Sequence, residues 1–538
     1  MTPEADSRRY SSALLFALFF LALLALHAPL LRLPYFWDEA GYYIPAARDL
    51  LLTGSLIPHS TPSNAHPPLV MAYLALLWKA LGYTAAVTRT AMLFISAFGL
   101  LGVFRLAQRV ANTEVAVASA ACTALYPVFF AQSSMAHVDL AAAAFVFWGL
   151  LAYVEDRPTR MAIWFSLAVL AKETAFLAPL ALLASAPVAK VLFSGTFATA
   201  KAPEVREAHD FSRAAPGHQN LRAVVLIFPL FTLTLWYSYH YLRTGFVFGN
   251  PEFLRYNVQT TLHPLRILLA LGLRLWQLVG YLNLYLLTVA AAFAMWLPPI
   301  RDHGMERRRI SLHVQFSFLT VVVAYTLAMA VVGGAVLARY MLPVVPLVII
   351  ICVSTLRRRV LYWRAVVAIV ALAFVGALFV NPPYGFSIED NLAYRDYILL
   401  HQRAEAFVET RYPTAQVLTA WPASDELSRP WLGYVARPMQ VFRIEDFTAE
   451  QLFAAADLRS HFSLALIFST KYEPPHPWFE RWRRWQQWKT HYFGYHRDLP
   501  PAAAAQILGG RVVYEEHAEG QWVAVIEMER IEEAKVFR

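Results

Sequence analysis

The sequence predicts a polytopic α-helical membrane protein with a carboxy-terminal soluble α/β domain. Of its 538 residues, 58% are hydrophobic and 15% are charged, whereas an ordinary soluble protein contains about 25% charged residues. Apolar runs near the length needed to cross a bilayer recur through residues 1–380. Residues 381–538 instead alternate helical and strand-like patterns, which indicate a water-soluble domain.

The first apolar run, residues 12–33, predicts a retained transmembrane helix. It follows Arg8 and Arg9, and it is longer than the roughly 7–15 apolar residues of a cleaved signal peptide. The run ends in RLPYFWDE, which contains no small-residue cleavage site. Because basic residues favour the cytoplasmic side, we expect the amino terminus to be cytoplasmic.

Further apolar runs bring the predicted total to about eleven transmembrane helices. These runs are 87–106, 115–132, 138–154, 161–170, 175–193, 221–241, 275–297, 314–332, 335–356 and 361–380. Residues 67–82 are left out, because a crossing there would place Arg109, Arg157 and Arg160 outside, against the positive-inside rule. We expect that segment to lie along the outer interface. The predicted domains are therefore 1–380, with a first external loop at 34–85, and an external domain at 381–538.

This topology brings polar residues from separate segments to the outer side of the membrane. They are Asp38, Glu39, His66, Asp139, Lys172 and Arg339. Each has an ordinary structural interpretation as well, since acids often cap helices and single histidines or loop lysines are often structural. Their convergence on one face favours a functional site, because charges at membrane depth are costly.

The segment ARYMLPVVP adds two residues to this predicted site. Arg339 and Tyr340 open an apolar segment that Pro343 and Pro346 should kink. Arginine is uncommon at the outer end of a membrane helix. Its guanidinium suits an anionic ligand such as a phosphate.

The carboxy-terminal region predicts a helix followed by strands. The helical pattern covers 389–413, and strand-like patterns cover 415–421, 463–469, 511–517 and 521–528. The last two strands should form a hairpin across 518–520. Four tryptophans follow helical spacing: Trp478, Trp482, Trp485 and Trp488. They predict either the core of this domain, which we favour, or an interfacial belt that faces the bilayer.

The ordered motifs WDEAGYY, HPPL, MAHVDL, LAKET and ARYMLPVVP resemble those of the GT-C superfold of membrane glycosyltransferases. The nearest likeness is to the branch of lipid A aminoarabinose transferases and protein O-mannosyltransferase-like enzymes. The resemblance covers about the first 360 residues, the transmembrane part. It implies transfer of a sugar from a polyprenyl-phosphate donor to a hydroxyl of an envelope lipid, glycan or protein. Attack from the face opposite the phosphate would invert the anomeric centre.

The resemblance also implies roles for individual residues. Asp38 would be the base, with Glu39 beside it, and Asp139 would be the second external acid. Tyr42 matches a first-loop aromatic, His66 matches a basic position that contacts the lipid phosphate, and Lys172 matches the lysine of a short turn between helices. Gly41 stands where the aminoarabinose branch often has an arginine.

Elementary chemistry supports this division of roles. A polyprenyl phosphate is already a good leaving group whose charge needs cations, and His66, Lys172 and Arg339 could supply them. The acceptor hydroxyl needs a base such as a carboxylate. Asp38, Glu39 and Asp139 could also hold a divalent cation, Mg²⁺ or Mn²⁺, because hard cations prefer oxygen ligands. The residues leave open whether a metal is needed.

Other function classes fit the sequence less well. A transporter or flippase of lipid-linked sugars predicts internal symmetry, and no repeat relates the halves of this sequence. A membrane scaffold would not need acids and bases on one face. The net charge of +9 reflects basic loops that fix topology, so nucleic acid is not an expected partner. We expect a multi-pass protein of the bacterial inner membrane with a periplasmic carboxy-terminal domain.

Overall fold

The computed structural model of the chain describes residues 11–194, 216–474 and 482–529. The chain forms two compact units, which we call the membrane unit and the carboxy-terminal unit. The membrane unit comprises Met1–Leu31 and Ala46–Leu378, and the carboxy-terminal unit comprises Arg32–Pro45 and Phe379–Arg538. Residues 32–45 carry the acid pair Asp38 and Glu39. They therefore belong with the carboxy-terminal unit, whereas the sequence suggested a loop of the transmembrane domain.

In its described part, the membrane unit is built from helices, with one short hairpin of two strands, β1 (Arg301–Asp302) and β2 (Met305–Glu306). The second helix begins within the carboxy-terminal unit. In chain order, the helices are α1 (Ser12–His27), α2 (Ile44–Thr53), α3 (Leu69–Leu81), α4 (Ala85–Val110), α5 (Thr113–Leu125), α6 (Pro127–Gln132), α7 (Val138–Val154), α8 (Pro158–Ala171), α9 (Leu177–Ser194), α10 (Pro216–Thr244), α11 (Pro251–Asn257), α12 (Pro264–Val279), α13 (Leu284–Ala294), α14 (Leu312–Val331), α15 (Val345–Arg359) and α16 (Trp363–Phe379).

Several of these helices are apolar and long enough to cross a membrane. Within the described residues, five segments qualify: Ser12–Leu30, Ala85–Val110, Leu221–Thr244, Pro264–Ala294 and Leu312–Val331. Six shorter apolar helices accompany them, at Leu69–Leu81, Thr113–Leu125, Val138–Val154, Pro158–Ala171, Glu173–Val188 and Trp363–Phe379. A mostly helical fold with several apolar helices, as the sequence predicts, is therefore present.

The predicted apolar runs differ from the helices mainly where the backbone breaks. The run 115–132 is divided at Tyr126 because Pro127 starts a new helix. The run 275–297 is longer than predicted, since α12 begins at Pro264, and it is interrupted where Leu282 and Asn283 adopt positive φ angles.

Small residues allow the central helices of the membrane unit to pack closely. A Cβ at Gly99 would lie 3.0 Å from Cβ of Ala144, which joins α4 to α7. A Cβ at Gly149 would lie 2.5 Å from the Phe165 ring, which joins α7 to α8. Such small-residue contacts are typical of helix pairs in membranes. They fix α7, whose first turn carries Asp139.

The carboxy-terminal unit contains a five-stranded mixed sheet in the order β4-β3-β5-β7-β6. Strand β3 pairs in parallel with β4 and β5, and β7 pairs antiparallel with β5 and β6. The strands are β3 (Gln416–Ala420), β4 (Gln440–Ile444), β5 (Leu464–Phe468), β6 (Gly510–Ala518) and β7 (Gln521–Met528). The helices are α17 (Ala393–Arg411), α18 (Ala423–Ser428), α19 (Ala449–Ala456), α20 (Arg483–Phe493) and α21 (Pro501–Leu508).

This sheet confirms the four predicted strands, the hairpin and the helix near 389–413. The turn of the hairpin uses positive φ angles at Glu519 and Gly520, as a tight connection requires. The sequence analysis missed β4, an edge strand whose burial pattern does not alternate clearly.

The preferred interpretation of the tryptophan-rich segment as domain core is wrong for its described part. Helix α20 has no buried residue, and the Trp482 side chain is 55% exposed. Trp478 lies outside the described residues. The helical spacing was a correct prediction of a helix, but charged residues surround the aromatic ones too closely for a buried face.

Candidate active site

The acid pair lies in a short turn of the carboxy-terminal unit. Asp38 directly precedes a single π-helical turn, Glu39–Tyr43, and its side chain is partly exposed. Glu39 is 0% exposed, and its Oε2 accepts a hydrogen bond of 2.9 Å from the Phe36 backbone N–H. The two carboxylates therefore have different surroundings. Asp38 is accessible for chemistry, whereas Glu39 stabilises the turn itself.

The backbone directly before the acid pair is strained. Trp37 has a φ angle of 41°, which places a bulky residue in the left-handed region. Such a conformation costs on the order of 1–3 kcal/mol and persists only where surrounding contacts impose it. Strain of this kind concentrates at functional sites.

Aromatic residues of the carboxy-terminal unit impose this conformation. The Trp37 ring packs edge-on against Trp421, with 5.1 Å between ring centroids, and Phe36 packs edge-on against Tyr397 at 5.4 Å. The Tyr434 hydroxyl donates a hydrogen bond of 3.0 Å to the backbone oxygen of Tyr35. Tyr42 is also buried and packs edge-on against Tyr43. The acid turn is thus held by residues from the last third of the chain.

Close packing explains why glycine stands at position 41, where the aminoarabinose branch often has an arginine. A Cβ at this position would lie 2.6 Å from Cζ2 of Trp421. The arginine that often stands here in that branch would overlap the indole ring. The glycine is therefore a packing requirement of this chain.

We expect the Gly41→Ala variant to be less stable than wild type by about 1–3 kcal/mol, because it overpacks a fitted contact. The measurement is thermal unfolding of the full chain in detergent. Gly272→Ala is the matched control, since no atom lies within 4 Å of a Cβ built there. Equal melting temperatures of the two variants would show that the Trp421 contact does not constrain position 41.

The membrane unit contains a buried ion-pair cluster that joins predicted site residues. Nζ of Lys172 lies 2.5 Å from Oδ1 of Asp139, and Nε of Arg339 lies 3.4 Å from Oδ2 of the same carboxylate. All three residues are at most 6% exposed. Arg339 also contacts Nδ1 of His137 at 3.0 Å. Asp139 therefore has two cations as partners.

The Tyr340 ring lies among three cations. The distances from its centroid are 4.1 Å to Nζ of Lys172, 5.4 Å to Cζ of Arg274 and 5.7 Å to Cζ of Arg339. These are cation–π distances. We call Asp139, Lys172, Arg274, Arg339 and Tyr340 the cation cluster.

Arg274 is the residue of this cluster that the sequence analysis missed. It is 0% exposed and donates hydrogen bonds to the backbone oxygens of Met329 and Leu337 and to the side chain of Gln277. It occupies the middle of the apolar run LGLRLWQLV. An arginine inside such a run is a functional candidate by position alone, and that pattern could have identified it.

Helix ends and the short turns beside them position four of the five cluster residues, and Arg274 lies within α12. Asp139 lies in the first turn of α7, where the helix dipole stabilises a carboxylate. Helix α8 ends at Ala171, and Lys172 is extended before a short 3₁₀ turn, Glu173–Phe176. Arg339 and Tyr340 lie in another 3₁₀ turn, Ala338–Met341. Pro343 separates that turn from α15, as the sequence predicts for a kink.

His66 contacts an acid rather than the cation cluster itself. Its Nδ1 lies 3.0 Å from Oε2 of Glu173, the residue that follows Lys172. The loop before His66 is fixed by hydrogen bonds, because Nε1 of Trp236 donates to the backbone oxygen of Ala65 and Nδ2 of Asn250 donates to Oδ1 of Asn64. Glu173 is a second residue that the sequence analysis did not assign to the site.

The charges of this region favour an anionic ligand. Lys172, Arg274 and Arg339 are three buried cations. Asp139 is ion-paired with two of them, and Glu173 is paired with His66. An excess of positive charge remains in a buried setting, where electrostatic attraction is stronger than in water. A phosphate group is the ligand chemistry that matches it.

The acids that the sequence predicts as ligands of a divalent metal ion already interact with other residues of the protein. Asp139 is compensated by Lys172 and Arg339, and Glu39 accepts from the Phe36 backbone. Among the described residues, one group of histidine and acidic side chains has ligand atoms within 4.8 Å of one another, and it consists of other residues: His401, Glu405 and Glu426. Metal binding by Asp38, Glu39 and Asp139 stays a prediction.

Comparison with known proteins identifies the fold. No family model matches the chain, and no curated protein matches it in sequence. The crystal structure of ArnT, a lipid A aminoarabinose transferase, from Cupriavidus metallidurans bound to undecaprenyl phosphate is similar, with a TM-score of 0.53 and 12% identity. The similarity covers 95% of this chain and 97% of that chain.

Two further structures share a weaker likeness. The apo state of the same ArnT matches with a TM-score of 0.49 and 13% identity over 96% of this chain and 98% of that chain. The oligosaccharyltransferase AglB from Archaeoglobus fulgidus, in complex with an inhibitory peptide and a dolichol-phosphate, matches with a TM-score of 0.46 and 13% identity. That similarity covers 96% of this chain and 74% of AglB. The fold assignment depends on the ArnT structure bound to undecaprenyl phosphate, whose TM-score is 0.53: the chain has a GT-C fold, as its motifs suggested.

Proposed function

We propose that this protein is a glycosyltransferase that moves a sugar from a polyprenyl-phosphate donor to a hydroxyl of an envelope acceptor. The observation that carries the proposal is the cation cluster, because it offers buried positive charge for a lipid phosphate. The GT-C fold is consistent with it, and the ArnT of that fold was crystallised with undecaprenyl phosphate.

In this proposal, the cation cluster binds the phosphate of the donor. Lys172 and Arg339 carry most of the interaction, and Asp139 holds both of them in position. Arg274 adds a third charge from α12, and the Tyr340 ring lies within cation–π distance of all three cations. As the sugar leaves, negative charge grows on the phosphate, and fixed cations stabilise it.

Asp38 is the proposed base. Both carboxylate oxygens of Asp139 already face cations, Oδ1 facing Lys172 and Oδ2 facing Arg339. Glu39 is buried and holds its own turn. Asp38 is the member of the predicted acid set that is partly exposed. It would take the proton of the acceptor hydroxyl as the oxygen attacks the anomeric carbon, and attack opposite the phosphate inverts that carbon.

We also propose the membrane arrangement that this reaction needs. About eleven helices cross a bacterial inner membrane, the amino terminus is cytoplasmic and the carboxy-terminal unit is periplasmic. The donor then reaches the cluster from the bilayer, and the acceptor arrives from the aqueous side. The basic end of α15, Arg357–Arg359, and the loop Arg307–Arg309 fall on the cytoplasmic side in this arrangement.

Binding of the lipid carrier tests the phosphate assignment. We expect purified protein in detergent to bind undecaprenyl phosphate and not undecaprenol, which lacks the phosphate. Arg274→Met should weaken that binding by about tenfold or more, because a hydrogen bond to a charged group contributes about 1.5–3 kcal/mol. Arg301→Met, at a solvent-exposed position, is the control. Equal binding of phosphate and alcohol would contradict the assignment.

Transfer distinguishes an enzyme from a flippase. Proteoliposomes carrying a labelled polyprenyl-phosphate sugar are mixed with extracted envelope lipids, glycans and proteins. Label on an acceptor supports the proposed reaction. Movement of the donor between leaflets without any labelled acceptor would instead support a flippase of lipid-linked sugars.

A further inference from the structure

The carboxy-terminal unit contains a buried group of one histidine and two glutamates that the proposed reaction does not use. His401 and Glu405 lie one turn apart on α17, and Glu426 comes from the short helix α18. The three residues are at most 1% exposed. One ligand atom from each lies within 4.8 Å of the others. We call these three residues the His-Glu-Glu group.

The contacts within the group leave its acids without enough compensation. Nδ1 of His401 lies 2.6 Å from Oε2 of Glu426 and 3.7 Å from Oε1 of Glu405. Among the described residues, no hydrogen-bond donor reaches either oxygen of Glu405 or Oε1 of Glu426. Buried carboxylates are normally paired or coordinate a metal. The imidazole of His401 is therefore the group that the described residues supply to balance the negative charge of two buried carboxylates.

We propose that His401, Glu405 and Glu426 bind a structural divalent transition-metal ion, and that Zn²⁺ is the best match. Zinc accepts imidazole nitrogen and carboxylate oxygen together, and a fourth ligand can be water. Ligands about 2.1 Å from zinc lie roughly 3.4 Å apart. The ligand atoms of the three residues lie within 4.8 Å of one another, so small side-chain movements would bring them to this separation. A charge of 2+ also neutralises the two carboxylates.

The metal would fasten α18 to α17. Helix α18 contacts the turn Glu39–Tyr43, which contains the acid Glu39 and directly follows Asp38. Trp421, whose ring limits Gly41, lies just before α18 in the chain. A metal at this group would therefore stabilise the scaffold of the acid turn without contacting the reacting atoms.

Metal content is the first test. The full chain is purified in detergent through a tag without histidines and without chelator, and its metals are measured by mass spectrometry. We expect about one zinc ion per chain, as in structural sites with a full ligand set. Chelation should lower the melting temperature, and added Zn²⁺ should restore it. Replacement by Co²⁺ should give visible absorption bands, a readout that does not depend on activity.

Ligand variants make the assignment specific. Glu405→Gln and His401→Ala should lose the zinc and its stabilisation. Loss of an outer-shell partner reduces metal affinity by about 10- to 100-fold, and loss of a ligand should reduce the zinc affinity by more than that. Glu450→Gln, at an exposed position on α19, is the matched control and should retain both. Glu405→Gln has the shape of a protonated glutamate, so this variant should still fold.

The alternative to a metal ion is a proton shared between the side chains of the His-Glu-Glu group. If wild-type protein dialysed against Zn²⁺ holds no more metal than Glu405→Gln, and both unfold at the same temperature, the group holds a proton and the proposal is wrong. Either outcome leaves the glycosyltransferase proposal to its own binding and transfer assays.

Discussion

We expect Asp38→Asn to reduce sugar transfer by about 10²- to 10⁴-fold, the usual contribution of a general base. Asparagine keeps the size and hydrogen-bonding shape of the side chain but cannot accept the acceptor proton. Since Asp38 is partly exposed and lies just outside the π-helical turn, the variant should keep the wild-type melting temperature. Initial transfer rates at saturating donor provide the measurement.

The neighbouring acid supplies a matched control for this prediction. Glu39→Gln removes the same charge, but its amide oxygen can still accept the hydrogen bond from Phe36 that the carboxylate accepts now. We expect Glu39→Gln to retain transfer within a few-fold of wild type. If Glu39→Gln abolishes transfer while Asp38→Asn keeps it, the roles of the two acids are reversed.

The second large effect is expected at the ion pair between Lys172 and Asp139. Lys172→Met removes one partner of a pair whose side chains are 8% and 2% exposed. Loss of one partner of a buried pair costs about 3–5 kcal/mol, because the other charge stays buried. Arg339 remains near Asp139, at 3.4 Å, which places the expected loss toward the lower end. Unfolding in mixed micelles containing SDS measures the change.

A double variant separates stability from donor binding. Asp139→Asn combined with Lys172→Met removes both charges but leaves the buried Arg339 without its carboxylate partner, so only part of the lost stability should return. Binding of undecaprenyl phosphate should remain weak, because the cation that faces the phosphate is still absent. Lys79→Met, at an exposed position on α3, controls for loss of a lysine alone. Recovery of full binding in the double variant would rule out contact between Lys172 and the phosphate.

The sequence predicted those helices and strands that a run of neighbouring residues is enough to identify. Apolar runs located the helices because a membrane helix buries every face in lipid or protein, so its length is visible in composition. The hairpin of β6 and β7 was predictable from alternating residues and a short turn containing Gly520. Strand β4 was not, since an edge strand with exposed positions such as Arg443 lacks a clear alternation.

The candidate site was predictable in part of its acids and in part of its cations. Asp139, Lys172, Arg339 and Tyr340 stand out because they border apolar runs on the predicted outer side, and the structure brings them together. Their pairings were not predictable, since they join segments that are far apart in sequence. The assignment of His66 to a phosphate contact missed Glu173 for the same reason.

The origin of the contacts around the acid turn has a consequence for biogenesis. The turn at 32–45 leaves the ribosome early, but Tyr397, Trp421 and Tyr434, which hold it, are made near the end of translation. During most of synthesis the acids therefore have no fixed geometry. The turn can therefore take its packed conformation only after the final segment of the chain has been made and has folded.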